Sequence, residues 1–199
     1  MSAPGQSVSA MALFDRLILH LMVLALAAVL TAAMVMQYAF GEIPCPLCLL
    51  QRFAMFGCCF GLFMQLRSGK SESGASERGT GIGLIFAVLL LVISVRQTLL
   101  DLFPRPGHAY VGSAIFGLHM PVWSVLIAVA LLLGFAVRLT LAATPNTSRS
   151  ADDSPMSKLT KGLLVYVVLI CAINFLSVVA QCGVSECHTS GYRLLGGAP

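Results

Sequence analysis

Five long stretches without a charged side chain constrain the fold of this chain more than any other feature. They run from Leu17 to Gly41, Phe53 to Leu66, Gly79 to Val95, Pro106 to Val137 and Gly162 to Ser185. A membrane-spanning helix needs about 20 mostly apolar residues. The second stretch reaches that length when it is extended back to Pro46. Only 10% of the residues are charged, well below the roughly 25% of soluble domains, so we expect the chain to lie in a lipid bilayer.

The stretches predict an all-α membrane protein, a helical bundle with five transmembrane helices in a single integral membrane domain. The predicted spans are about 17–40, 46–66, 80–100, 121–142 and 162–180. Polar, Ser-rich segments predict cytoplasmic linkers at 67–79 and 143–161. The remaining segments, 41–48, 101–120 and 181–199, are predicted to lie on the outer side. The first span is too long for the apolar region of a signal peptide, so we expect it to be retained.

Basic residues are distributed unequally between the two predicted sides of the membrane. Eight belong to one side: Arg16, Arg67, Lys70, Arg78, Arg138, Arg149, Lys158 and Lys161. Four belong to the other: Arg52, Arg96, Arg105 and Arg193. By the positive-inside rule, the N-terminus is predicted to be cytoplasmic and the C-terminus to lie outside. The net charge of +4 reflects this asymmetry and gives no reason to expect a nucleic-acid partner.

Four of the seven cysteines form two closely spaced pairs, Cys45 with Cys48 and Cys182 with Cys187. The predicted topology brings both pairs to the outer side. Thiols outside a bacterial cytoplasm oxidise readily, so clusters there tend to become disulfides. Two oxidisable pairs on one side of a membrane therefore suggest thiol chemistry.

The first pair lies in the sequence EIPCPLCLLQR at a predicted helix start. Pro46 suits the first helical position, which makes Cys45 the N-cap and Cys48 the third residue of the helix. Unpaired backbone N–H groups and the helix dipole there favour a thiolate over a thiol. Arg52 follows Cys48 by four residues and is expected on the same helix face. It is interpreted either as part of a site for a thiolate and a polar ligand head, or as an arginine that reaches the lipid headgroups.

The second pair needs a turn between its members, because two residues five apart on one helix point in different directions. Gly183 permits that turn. A disulfide of Cys182 and Cys187 has two interpretations. It exchanges with the first pair through a mixed disulfide, or it is a structural staple of the C-terminal tail. Cys58, Cys59 and Cys171 lie inside predicted spans and are expected to be packing residues.

Four motifs give the chain a resemblance to the disulfide bond formation protein B family of bacterial inner-membrane enzymes. They are PCPLCLLQR at the second helix, RQTLLDLFPRP at the end of the third, GSAIFGLHMPVW before the fourth and QCGVSEC after the fifth. The first motif is specific and the other three support it. The resemblance implies a four-helix core in the bacterial inner membrane and electron transfer from a periplasmic thioredoxin-like dithiol oxidase to the membrane quinone pool.

The resemblance also implies roles for individual residues. Cys48 is expected to be the thiolate that contacts the ring of a quinone, either ubiquinone or menaquinone, and Cys45 to exchange with the second pair. Arg52 stands where the family has a quinone-contacting arginine. Gln97 stands where well-known members have a histidine near the quinone. It could hydrogen-bond a quinone oxygen, but it could not carry a proton's charge.

One departure from the best-known members concerns the second cysteine pair. In those members the pair lies between the third and fourth helices, whereas residues 101–121 contain no cysteine here. The chain resembles instead a branch with a shorter loop, a fifth helix and a C-terminal pair. Cys182 and Cys187 are therefore expected to replace the loop pair.

Two other functions use the same cysteines. The spacings C-x2-C and C-x4-C could supply four sulfurs to a zinc ion. Alternatively, both pairs could be inert disulfides of a structural membrane protein. A disulfide between Cys45 and Cys48 would close only a very short loop, however, and would add little stability. We therefore favour the enzyme, with no metal ligands assigned.

Overall fold

The computed structural model of the 199-residue chain describes residues 4–67, 73–103, 114–115, 117–141 and 155–183. It contains five long helices and one short hairpin, with these bounds in chain order: α1 Pro4–Ala39, α2 Pro46–Arg67, α3 Ser73–Leu102, β1 Ala114–Ile115, β2 Leu118–His119, α4 Met120–Leu141 and α5 Pro155–Cys182. All five helices are long and apolar enough to cross a membrane. The predicted five-helix membrane fold is therefore confirmed.

The first four helices form a closed bundle, and α5 packs on its outside. Along the ring, α2 contacts α1 and α3, α3 contacts α4, and α4 contacts α1, while α5 lies against α1 and α2. Helix α2 is the most enclosed. Of its most apolar 18 residues, 56% are buried, against 22% for α5. The four-helix core with an added fifth helix is thus present. The helix that carries Cys48 and Arg52 is the most buried of the five.

Glycines allow α2 and α3 to approach closely. A Cβ atom at Gly61 would lie 2.6 Å from the carbonyl oxygen of Gly79 and from the amide nitrogen of Gly83. A Cβ atom at Gly83 would lie 2.4 Å from the ring of Phe135, which is completely buried. Small residues let backbones meet in this way, which matters in lipid because no hydrophobic force drives helices together there.

Polar side chains connect α5 to α1 at three levels. His20 Nε2 lies 2.8 Å from Thr160 Oγ1, the hydroxyls of Thr31 and Tyr166 lie 2.7 Å apart, and Tyr38 bonds Ser177. Residue numbers rise together on the two helices, so α1 and α5 run parallel. Polar contacts of this kind hold helices together where apolar surface faces lipid. They fix the register of α5 against the bundle.

Two other features stabilise the bundle: an ion pair between α4 and α1, and a turn at the end of α1. Arg138 near the end of α4 forms a two-pronged ion pair with Asp15 of α1, with N–O distances of 2.6 and 3.0 Å. Gly41 ends α1 with a left-handed φ of +69°, which favours glycine. The amide of Glu42 then returns to the carbonyl of Met36 at 3.2 Å. The chain can therefore turn from α1 to the start of α2 within a few residues.

Three helix starts differ from the sequence expectation. Helix α1 begins at Pro4, 13 residues before the predicted span. Helices α3 and α5 begin at Ser73 and Pro155, inside the segments 67–79 and 143–161 that were predicted as linkers. Side chains such as Ser, Thr and Lys are compatible with the ends of long helices, and polarity alone does not mark a helix start. The hairpin of β1 and β2, paired antiparallel with Ala114 opposite His119, lies in the predicted outer segment 101–120 and was not anticipated.

Candidate functional site

The sulfurs of Cys45 and Cys48 meet at the N-terminus of α2. Cys45 immediately precedes the helix, its carbonyl accepts the amide of Leu49 at 3.1 Å, and its Sγ accepts the amide of Cys48 at 3.2 Å. Cys45 is therefore the N-cap residue, as the proline before and after it indicated. The two Sγ atoms lie 2.6 Å apart, and both cysteines are free and half-buried. The pair is placed to open and close a disulfide.

The two sulfurs are not equivalent. The hydrogen bond with Cys48 is the largest cause that raises the pKa of the Cys45 thiol above its ordinary value, and burial and the charge of Cys48 raise it further. Amides of the first helical turn act in the opposite direction with a smaller effect. Cys45 therefore keeps its proton when the pair loses one. This differs from the expectation that the helix start favours a thiolate at both sulfurs.

Gln97 of α3 lies directly over the pair. Its Nε2 atom is 3.4 Å from Cys45 Sγ and 3.4 Å from Cys48 Sγ, and the side chain is buried. Its Oε1 atom accepts a hydrogen bond from Gln51 Nε2 at 3.0 Å, and Gln51 Oε1 accepts one from the Ser124 hydroxyl at 3.2 Å. Three helices thus contribute to one chain of hydrogen bonds that ends at the sulfurs.

Arg52 points away from that chain, toward α1 and α5. One guanidinium nitrogen donates to the side-chain oxygens of Gln37 at 2.6 Å and Asn174 at 3.2 Å, and the other donates to the carbonyl of Ala33 at 3.0 Å. Only 8% of Arg52 is exposed. The arginine is therefore a buried cation held by protein oxygens, and it joins α2 to both α1 and α5.

The end of α5 reaches the same end of the bundle as the first cysteine pair. Gln181, which is fully buried, donates from Nε2 to the carbonyl of Pro44 at 2.9 Å. The next residue, Cys182, is buried and disulfide-bonded. Gly183 follows with a φ of +62°, and its amide bonds Val179 at 2.8 Å, so the chain turns after the helix as glycine permits. Cys187 lies outside the described residues.

The other cysteines are separate from this site. Cys58 and Cys59 are buried in the core, as predicted for packing residues. Cys171 is free but exposed on α5, so the packing prediction is wrong for it, because it falls on the face of α5 turned from the bundle. Among the described residues there is no group of three or more histidine, cysteine, aspartate or glutamate side chains suited to a metal ion.

Sequence reasoning missed Gln51, Ser124 and Gln181. Each is a polar residue in an apolar helix, and such residues in a membrane span mark buried contacts or function. Gln51 also follows Cys48 by three residues, a spacing that puts both on one helix face. That signal was available from the sequence, whereas the partners on α3 and α4 depend on how the helices pack.

The region that holds the first cysteine pair matches a known family. Residues 15–110 match the family model described as Disulfide bond formation protein DsbB. Over these residues, slightly less than half of the chain, the sequence is similar to that family. The matched range includes Cys45, Cys48, Arg52 and Gln97, and it ends before α4, α5 and Cys182.

Two curated relatives agree with the family match. Both are named Disulfide bond formation protein B, one from Verminephrobacter eiseniae (strain EF01-2) and one from Acidovorax sp. (strain JS42). They are 29% and 31% identical to the chain over 103 residues, which is 52% of this chain. The alignments cover 56% and 58% of the relatives, so the chain spans little more than half the length of the curated relatives it matches. No solved structure matches the chain.

Proposed function

We propose that the chain is a membrane dithiol:quinone oxidoreductase. It would reoxidise a periplasmic thioredoxin-like dithiol oxidase, and so promote disulfide bond formation, while electrons pass to ubiquinone or menaquinone. The proposal places the protein in the bacterial inner membrane, with its N-terminus in the cytoplasm and its C-terminus in the periplasm. The similarity of residues 15–110 to a family named for disulfide bond formation supports the thiol chemistry.

One observation carries the proposal: two sulfur centres share one end of the bundle. The free pair of Cys45 and Cys48 begins α2, and the disulfide-bonded Cys182 ends α5. Gln181, which precedes Cys182, donates a hydrogen bond to Pro44, which precedes Cys45. The two sulfur centres are therefore adjacent to residues in direct contact. Thiol–disulfide exchange requires one sulfur to reach another, so this arrangement favours exchange over two independent disulfides.

The exchange can be written with the chain's own sulfurs. The partner's dithiol first reduces the disulfide of Cys182, for which we propose Cys187 as the second member. A thiolate of that pair then attacks Cys45 Sγ, breaks the bond from Cys45 to Cys48, and releases Cys48 as a thiolate. The second C-terminal thiol resolves the mixed disulfide. Two electrons have then moved to Cys45 and Cys48.

The residues around the pair fit a quinone in their chemistry. Quinone oxygens accept hydrogen bonds, and the Gln97 amide and the Arg52 guanidinium are donors. In the structure Gln97 donates to the two sulfurs and Arg52 to oxygens of α1 and α5, so a quinone oxygen would replace one of these acceptors. Leu50 and Phe53, on the outward face of α2, are 49% and 59% exposed, so an apolar carrier has lipid-side access. When bound, the quinone would accept the two electrons and two protons that Cys45 and Cys48 lose as their disulfide re-forms. We propose that Gln97 and Arg52 orient it and that the buried arginine favours the reduced form.

The test follows quinone reduction by the full-length chain in detergent. Dithiothreitol is the electron donor, a short-tailed ubiquinone is the acceptor, and the ultraviolet absorbance of the quinone reports its reduction. We expect Cys48→Ser to lower the rate to that of dithiothreitol and quinone alone, and Arg52→Ala to slow it roughly tenfold, which corresponds to about 1.4 kcal/mol. A menaquinone analogue tests the second quinone type.

The matched control is Cys171→Ser, which removes a free, exposed thiol remote from the pair and is expected to leave the rate unchanged. Quinone reduction that survives Cys48→Ser would eliminate the proposed mechanism. A mixed disulfide formed at Cys182 by a Cys187→Ser variant, which lacks the resolving thiol, would support the partner if mass spectrometry identifies the protein captured from periplasmic extract as thioredoxin-like. Capture of proteins without that fold would contradict it.

A zinc site is less well supported. A four-sulfur site needs four thiolates, and Cys182 is already in a disulfide. The inert-disulfide alternative is disfavoured because a disulfide of Cys45 and Cys48 would close a very short loop and add little stability, and because both sulfurs accept a hydrogen bond from the Gln97 amide.

A further inference from the structure

The side chains of Ser124, Gln51 and Gln97 form a hydrogen-bonded relay that ends at two redox sulfurs. The relay crosses from α4 to α2 to α3, with distances of 3.2 Å, 3.0 Å and 3.4 Å at successive steps. All three side chains are at least nine-tenths buried, with 8%, 6% and 6% exposed. Buried amides in an apolar bundle must be hydrogen-bonded to be tolerated, so the three side chains constrain one another.

When neither sulfur carries a proton, the donor and the acceptor of each hydrogen bond in the relay are fixed. A disulfide or a thiolate can only accept a hydrogen bond, so Gln97 must present its N–H2 group to the sulfurs. Its oxygen then faces α2, where it takes a hydrogen from Gln51 Nε2. The oxygen of Gln51 is left to accept from the Ser124 hydroxyl. Every bond of the relay then pairs a donor with an acceptor, and reversal of the Gln97 amide alone would break the bond with Gln51.

We propose that Gln51 and Ser124 are positioning residues that hold the Gln97 amide with its N–H2 group toward Cys45 and Cys48, and that this donor makes the pair more oxidising. Gln97 touches the reacting sulfurs, whereas Gln51 and Ser124 act through it. An N–H donor stabilises a thiolate more than a disulfide, because hydrogen bonds to charged acceptors are stronger. The relay thus favours the reduced pair. This inference rests on the proposed function only in taking the pair to be redox-active.

The neighbouring Ser94 provides a matched control. It lies on α3 three residues before Gln97 and is completely buried, and its hydroxyl has no hydrogen-bond partner among the described residues. Ser94→Ala therefore removes a buried hydroxyl from the same helix without removing a bond of the relay. It separates a general effect of altered polarity from an effect of the relay itself.

The experiment measures the thiol–disulfide equilibrium of the pair without any quinone. The full-length chain, in a Cys182→Ser/Cys187→Ser background, is equilibrated in detergent with defined ratios of reduced and oxidised glutathione. The disulfide of Cys45 and Cys48 takes two electrons and two protons from two glutathione thiols, which become one glutathione disulfide. Alkylation and peptide mass spectrometry then give the fraction of reduced pair.

We expect Gln97→Met, which keeps the volume but lacks a donor, to shift the equilibrium about tenfold toward the disulfide. That is the effect size of one hydrogen bond to a charged group, and it corresponds to about 30 mV for a two-electron couple. Gln51→Met and Ser124→Ala should shift it in the same direction by about threefold, and Ser124→Thr, which keeps the hydroxyl, should restore the wild-type value. Ser94→Ala should leave it unchanged.

A combined variant tests whether Gln51 acts through Gln97. In a Gln97→Met background, Gln51→Met should add no further shift, because coupled residues are not additive. If Gln97→Met does not fold, the comparison of Ser124→Ala with Ser124→Thr decides the matter. No shift in Gln97→Met, or equal shifts in Ser124→Ala and Ser94→Ala, would overturn the proposal. Because the assay contains no quinone, either result is independent of whether the chain reduces one.

Discussion

At the scale of single residues, the sequence predicts local geometry better than it predicts partners. The prolines on either side of Cys45 place it at the N-cap, and the structure has Cys45 Sγ on the amide of Cys48. That contact depends on neighbours in the chain. The contacts of Arg52 do not depend on neighbours in the chain, because its partners Gln37 and Asn174 are 15 and 122 residues away. Its charge left two interpretations, part of a ligand site or an arginine at the lipid headgroups, and only packing reveals that α1 and α5 hold it.

The raised pKa of the Cys45 thiol gives a prediction at the scale of single residues. The bond with Cys48 is the main reason that the pKa of Cys45 is raised, so Cys48→Ala should lower that pKa. In the Cys182→Ser/Cys187→Ser background, the pH at which iodoacetamide alkylates Cys45 at half its maximal rate should then move down. Cys171→Ala is the control. An unchanged or higher midpoint in Cys48→Ala would show that the Cys48 sulfur does not hold the proton on Cys45.

At the scale of helices, packing in this bundle depends on two kinds of helix–helix contact: close approaches at glycines and hydrogen bonds between polar side chains. The first joins α2 to α3 and the second joins α5 to α1. Apolar stretches predicted that five helices exist, since length and composition suffice for that. They could not predict which faces meet, because lipid and protein interior are equally apolar and the usual amphipathic stripe is weak.

The glycine contact between α2 and α3 can be tested by adding one methyl group. Gly61→Ala would bring a Cβ atom within 2.6 Å of backbone atoms of α3, which cannot give way as a flexible side chain would. We expect the free energy of unfolding in detergent to fall by about 1–3 kcal/mol. In Gly81→Ala the new Cβ has nothing within 4 Å, and stability should rise by up to about 1 kcal/mol. Equal effects of the two changes would refute the close contact.

The polar pairs that fasten α5 give a second prediction. Thr160→Val keeps the shape of the side chain but removes the partner of His20 Nε2. We expect a loss of about 1 kcal/mol in the free energy of unfolding, measured by thermal or denaturant unfolding in detergent. Thr140→Val is the control, because among the described residues that exposed hydroxyl bonds only the carbonyl of Val137 in its own helix. If both variants lose the same stability, the bond with His20 does not fasten α5.

At the scale of the whole molecule, the order of the helices brings distant parts of the chain to one end. An odd number of spans makes α1 and α5 parallel, and the register of α5 sets Gln181 against Pro44, 137 residues earlier. The sequence predicted that the two cysteine pairs share a side of the membrane, from the count of spans alone. How near they come depends on helix packing, which the pattern of apolar residues does not contain.

The central claim is that sulfur pairs from the two ends of the chain exchange at one end of the bundle, and disulfide mapping of Cys48→Ser tests it most directly. Cys48→Ser has no disulfide at Cys45, so the exchange can run only in reverse: the Cys45 thiolate attacks the C-terminal disulfide and releases one of its thiolates. It should then stop at the mixed disulfide, because no Cys48 thiol is present to resolve it. The account predicts that, after one cycle of reduction and reoxidation, unreduced peptides join Cys45 to Cys182 or Cys187, and that Cys45→Ala/Cys48→Ser abolishes them. Free, alkylatable Cys45 in every molecule beside an intact C-terminal disulfide would contradict it.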